Sequence, residues 1–151
     1  MKDYSDNIRF MDEMIARMGA LDIDLYVIIT GEGADPIPLQ CFGVDTVGSS
    51  AFVFSRLGDK LALTSTIDAQ DVEESGMYDK VLRYNDYYPE LADLVKGLPH
   101  ERIAFNYSEN VPLCDGLTMG KYLQFLDEMG GEAFEACSSD LFIPDLKKTV
   151  F

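Results

Sequence analysis

Histidine is almost missing from this chain: His100 stands alone among 151 residues. A histidine-based metal site needs several converging ligands, so a lone histidine after Pro99 reads as a solvated loop side chain. Tryptophan is absent, and cysteine is scarce. Cys41, Cys114 and Cys137 lie far apart, form no CxxC, fit no zinc spacing and cannot all pair within one chain. That usage points to a reducing, cytoplasmic setting and to thiols used as small buried apolar groups. A nucleophilic cysteine needs a base beside it, and His100 is the one good candidate.

Positive charge is also in short supply. Twelve Lys and Arg face twenty-seven Asp and Glu, a net charge of -15. Phosphate backbones and anionic membranes are bound by clustered Lys and Arg, so nucleic acid and membrane surfaces are excluded as partners. The acidity serves solubility or offers a docking face to a basic partner. No apolar run approaches the ~20 residues needed to span a bilayer, and the polar start Met1-Lys2-Asp3-Tyr4-Ser5-Asp6 lacks the apolar centre of a signal peptide.

Catalytic and cofactor motifs are missing too. Gly31-Glu32-Gly33 follows an apolar run, but Pro36 and Pro38 come next, where a dinucleotide fingerprint needs a third glycine and a helix. Neither GxxxxGK[ST] nor GxSxG occurs. The acids between Asp68 and Glu74 read as the solvated face of a helix, and with Asp127-Glu128 they match no EF-hand spacing. No catalytic, cofactor-binding or metal-ligating residue is expected in this chain.

What is there is a regular alternation of elements. Ile8, Met11, Ile15 and Met18 recur at helical spacing and predict a helix over 6–18, capped by Ser5 or Asp6 and stopped at Gly19. Leu25 to Thr30 is a continuous apolar run, a strand buried on both faces. Residues 31–38, with two Gly and two Pro, predict a loop. Residues 50–55 and 60–64 flank Arg56-Leu57-Gly58-Asp59 as a hairpin. A helix over 67–75 closed by Gly76, a strand at 80–84, a helix over 88–96 and a strand at 102–105 follow. A helix over 116–129 is predicted, capped by Asp115, with Met119, Tyr122, Leu123 and Leu126 on one face. An edge strand at 132–137 and a last helical segment towards Lys147-Lys148 complete the chain. The order implies an α/β fold, a mixed sheet of about six strands with helices on both faces.

Order and local wording together resemble the amino-terminal domain of the creatinase and prolidase family. That domain precedes the pita-bread catalytic domain of prolidases (Xaa-Pro dipeptidases), aminopeptidases P and creatinases. Arg9-Phe10-Met11 through Leu21-Asp22-Ile23-Asp24-Leu25-Tyr26-Val27-Ile28 looks like the family's opening helix, the lone aspartate and the first buried strand. Phe42-Gly43 resembles its aromatic-Thr-Gly loop without the Thr, and Leu61-Ala62-Leu63-Thr64 its hairpin. Residues 103–110 and 115–122 resemble a prolidase-like subgroup, and Asp145-Leu146-Lys147-Lys148 the exit into the catalytic domain.

The resemblance implies a ribonuclease H-like fold over residues 1–151. It implies a non-catalytic domain whose parent is a hydrolase, a Xaa-Pro metallopeptidase. The family's dinuclear Mn, Co or Zn centre is then expected in a catalytic domain beyond Phe151. The partners expected are that C-terminal domain and a second subunit, in a homodimer. Cys41, Phe42 and Gly43 are the candidate wall against the active site, which favours small proline-containing peptides. Two other readings use the same residues: a stand-alone acidic binding or assembly module, and a small hydrolase built on the acidic clusters.

Overall fold

The computed structural model describes residues 3–31, 37–42 and 46–150. The opening helix α1 (Ser5–Ala20) buries Phe10, Met11, Met14 and Met18, a stripe at helical spacing. It departs from the expected ends. Asp3 supplies the side-chain acceptor, taking the Ser5 N–H at 2.9 Å. Gly19 lies inside the helix, and Asp22 instead adopts the left-handed conformation, φ 60°, that turns the chain towards the sheet.

Among the described residues, six strands form one sheet in the order β4-β3-β2-β1-β5-β6. They are β1 (Leu25–Thr30), β2 (Ser50–Ser55), β3 (Lys60–Thr64), β4 (Lys80–Arg83), β5 (Arg102–Phe105) and β6 (Glu135–Ser138). β2 runs antiparallel to both β1 and β3, and the pairs β3–β4, β1–β5 and β5–β6 are parallel. The mixed sheet is as expected. β1 and β2 are buried throughout because helices cover both faces.

Alternation sends successive side chains to opposite faces. On one face Tyr26, Ile28, Phe52, Phe54 and Ala104 meet α1, α2 (Ile37–Phe42), α3 (Thr66–Ser75) and α6 (Ile143–Val150). On the other, Val27, Ile29, Val53, Leu63 and Phe105 meet α4 (Tyr87–Lys96) and α5 (Met119–Met129).

Two sequence expectations are corrected here. Ile37 and Pro38 open α2 rather than ending a loop; proline is tolerated in a first helical turn, where its missing N–H has no partner to lose. Residues 32–36 of that expected loop lie outside the described residues. The helix expected over 116–129 begins only at Met119, because Asn106 O accepts the Gly116 and Leu117 N–H groups at 3.0 and 2.8 Å and ties them to the end of β5. Thr118, not Asp115, caps it, accepting from Lys121 N at 3.4 Å. On α5 Phe125 and Met129 are buried, while Met119 and Leu123 are 70% and 55% exposed. Gly76 and Gly130, with φ of 70° and 63°, close α3 and α5.

Candidate functional site

In open α/β sheets, ligands and partners meet the fold at the carboxyl ends of the strands, where connections diverge to opposite sides. Here the divergence lies between β1, which connects to β2, and its parallel neighbour β5, which leads to β6. Asn106 fills that position. It is fully buried, its Oδ1 accepts from Ile29 N at 3.0 Å, and its Nδ2 donates to Ile29 O at 3.1 Å. A side-chain amide thereby extends the ladder by one residue, as a strand backbone would. Lys121 reaches the same edge, its Nζ 3.6 Å from where a Cβ on Gly31 would lie.

Of the expected wall residues, two lie on the sheet face under α1. Cys41 and Phe42 close α2, and both are fully buried. The Phe42 ring packs on Phe54 at 4.9 Å and on Phe10 at 6.0 Å between centroids. The Cys41 carbonyl accepts from Asn7 Nδ2 at 2.8 Å. Gly43 lies outside the described residues.

The chain that re-enters the sheet after it is tightly held. Val47 N and Gly48 N each donate to one oxygen of the Asp68 carboxylate, both at 2.9 Å. Ser65 Oγ donates to the same carboxylate at 2.9 Å. Thr46 and Ser50 share a hydroxyl hydrogen bond of 2.7 Å. Tyr84 and Tyr87 donate their hydroxyls to the Ser49 and Ser50 carbonyls, their rings edge to face at 5.1 Å. Burial holds the Tyr87 phenol well above the usual tyrosine range.

Asp68 corrects the expectation of a uniformly solvated acidic face on α3. Asp71, Glu73 and Glu74 are exposed, whereas Asp68 is buried. The signal was present: Ser65-x-x-Asp68 is a helix-capping spacing, and Ser65 Oγ accepts from Asp68 N at 3.3 Å. At the opposite, amino end of β5, the lone Asp24 of the family wording accepts from Glu101 N and Arg102 N at 2.9 and 3.1 Å.

The remaining chemical groups are held apart. His100 Nδ1 lies 2.7 Å from Leu98 O and Nε2 lies 3.0 Å from Glu132 Oε1, so its contacts are acceptors and not a thiol. Cys41, Cys114 and Cys137 are buried thiols, and burial pushes the Cys137 thiol up against the pull of Arg102. Among the described residues, no group of three His, Cys, Asp or Glu is placed to hold a metal ion. No described helix is long and apolar enough to cross a membrane.

The chain has the fold of a known class of α/β domain, the amino-terminal domains of prolidases and Xaa-Pro peptidases. A proline dipeptidase from Streptococcus pneumoniae superposes with a TM-score of 0.69 at 12% identity, over 92% of this chain and 95% of that one. The N-terminal domain of the cytoplasmic peptidase PepQ from Mycobacterium tuberculosis matches at 0.65 and 14%, over 91% and 98%. The prolidase from Pyrococcus horikoshii matches at 0.68 and 13% over 91% of this chain, which spans 34% of that protein. No family model matches the sequence, and no curated protein is significantly similar to it.

Proposed function

We propose that this chain works as the non-catalytic amino-terminal domain of a Xaa-Pro dipeptidase or aminopeptidase P-type metallopeptidase, a cytoplasmic hydrolase. The observation that carries the reading is the fold shared along the whole length of structures solved as that domain alone. The dinuclear Mn, Co or Zn centre and its ligands belong to a C-terminal catalytic domain. This domain contributes to dimerisation and walls off the active site for small proline-containing peptides. A wall excludes water and orients substrate without touching the reacting atoms.

The segment Cys41-Phe42-Gly43 is the proposed wall. The buried side chains of Cys41 and Phe42 support this as anchors. They fix the segment to the core, so the surface it offers is backbone and its neighbours along the carboxyl edge. The clamp at Asp68 and the two tyrosine hydroxyls would keep that surface rigid.

Purified alone with Mn or Co, the chain should leave Ala-Pro and longer Xaa-Pro peptides intact and should show no micromolar binding of them. Turnover that disappears on acid-to-amide substitution would overturn the reading. So would a native reading frame that lacks the Asp, Asp, His, Glu and Glu ligand set; the acidic binding module would then take first place.

A further inference from the structure

Beyond β5 the chain builds an open cleft of about 510 Å³ between the segment after β5 and the start of α5. Tyr107, Tyr122, Leu117 and Met119 form its apolar sides, and Glu109 and Asp115 contribute carboxylates. The site is braced from within. The Tyr122 ring rests edge-on against buried Phe105 at 5.1 Å. Ser108 N donates to Asp115 Oδ1 at 3.1 Å, and Ser108 Oγ donates to Asp140 Oδ2 at 2.6 Å, which ties the segment after β5 to both acids. Glu109 is exposed and has no ion-pair partner among the described residues. Burial first, then the neighbouring Cys137, Glu109 and Asp140, push the Tyr107 phenol above the usual tyrosine range.

The apolar surface runs on from the cleft. Met119 is 70% exposed, and Leu123, one turn further along α5, is 55% exposed. No Lys or Arg lines the cleft among the described residues, and the chain carries a net charge of -15. Aromatic faces attract a guanidinium or ammonium group, carboxylates neutralise it, and an apolar stripe beside them covers a hydrophobic neighbour. An acidic partner would be repelled from the whole molecule.

We propose that this cleft is a docking site for a protein partner that presents an arginine or lysine beside a large apolar side chain. The cationic group lies against the Tyr107 and Tyr122 rings with its charge towards Glu109 and Asp115. Its apolar neighbour covers Met119 and Leu123. The proposal does not rest on the peptidase reading.

The probe is a short synthetic peptide of alternating leucine and arginine, titrated into the intact labelled chain and followed by amide and methyl NMR shifts. Shifts should centre on Tyr107, Glu109, Met119, Tyr122 and Leu123. Glu109→Gln should weaken binding by roughly 5-fold, the scale of one rim charge. Met119→Gln should weaken it by about 5- to 10-fold through lost apolar contact. Asp71→Asn, an exposed acid on α3, should leave it unchanged. Equal loss in D71N and E109Q would reduce the effect to diffuse attraction and overturn the site. Binding of a leucine–glutamate peptide as tight as that of the arginine peptide would also overturn it. So would butylguanidinium alone matching the peptide, which would make the cleft a small-cation pocket.

Discussion

The two faces of the sheet are built from different materials. The face under α1, α2, α3 and α6 is aromatic and sulfur-rich: Phe10, Phe42, Phe52, Phe54 and Phe142 pack with Met11, Met14, Met18 and the three cysteines. The face under α4 and α5 is mostly aliphatic: Leu25, Val27, Ile29, Val53, Leu61, Leu63 and Ile103, with Phe105 and Phe125 at one side. Methionine and ring edges fill irregular space, whereas β-branched side chains suit a flat pleated surface. The first face must accommodate α2, a helix of only six residues. The second receives two longer helices and needs no such adaptation. Irregular packing is therefore concentrated on the side that anchors the proposed wall.

Adjacent residues of one strand put that difference to the test. Phe54 and Val53 point to opposite faces, and both are fully buried. Phe54 touches Phe42, Tyr26 and Tyr78, with centroids at 4.9, 6.2 and 6.1 Å. Phe54→Ala should cost about 3–5 kcal/mol in urea unfolding, the range for a large aromatic removed from a core. Val53→Ala should cost about 2 kcal/mol, from two lost methyl groups and a smaller cavity. Equal losses would break the comparison. A further sharpening is local: F54A, and not V53A, should raise amide exchange at Cys41 and Phe42, because only Phe54 supports α2.

The next effect is smaller and confined to the edge. Asp68→Ala leaves Val47 N, Gly48 N and Ser65 Oγ without their acceptor. Charge-assisted bonds of this kind make the expected cost about 2–3 kcal/mol. Exchange at Val47 and Gly48 should rise ahead of global unfolding, while α4 and α5 stay protected. A uniform rise across the chain would mean that Asp68 supports the whole domain and not the edge alone.

The sheet itself was legible in the sequence because β1, β2, β3 and β5 are short apolar runs bounded by turn residues, and such runs in this order have few alternative arrangements. The edge was less legible. The roles of Asp68 and Asn106 depend on partners 20 and 77 positions away. An acid in an acidic helix and an amide after a strand look ordinary until the fold brings those backbones to them. The exposed stripe of α5 was misread for a related reason. Met119 and Leu123 share a helical face with apolar neighbours, but it is Tyr122, Phe125 and Met129 that pack against the sheet, a choice of face that periodicity alone leaves open. The wall segment reads as a loop in the family wording, whereas Cys41 and Phe42 end a helix with both side chains buried.

The smallest expected effect separates the faces by a single oxygen atom. Tyr78 packs on the aromatic face and Tyr87 on the aliphatic one. The Tyr78 hydroxyl is buried with no hydrogen-bond partner among the described residues, whereas Tyr87 donates to the Ser50 carbonyl. Burial raises both phenols well above the usual tyrosine range. Tyr87→Phe should therefore cost about 1 kcal/mol at neutral pH, one net hydrogen bond. Tyr78→Phe should be neutral or stabilising by up to about 1 kcal/mol, because an unmet buried hydroxyl is removed. The sign with pH is fixed by the same burial. Above the ordinary tyrosine range the unfolded chain loses these protons and the folded chain keeps them. Stability present at neutral pH is then lost as pH rises, by up to about 1.4 kcal/mol per pH unit for each phenol. Alkaline unfolding curves should be shallower in Y78F and in Y87F, and shallowest in the double variant. At neutral pH the two variants should move the midpoint in opposite directions or, at the least, only Y87F should lower it. A Y78F protein that loses as much as Y87F would mean that the aromatic face satisfies its hydroxyl after all, and that the two faces differ in shape but not in polar completeness.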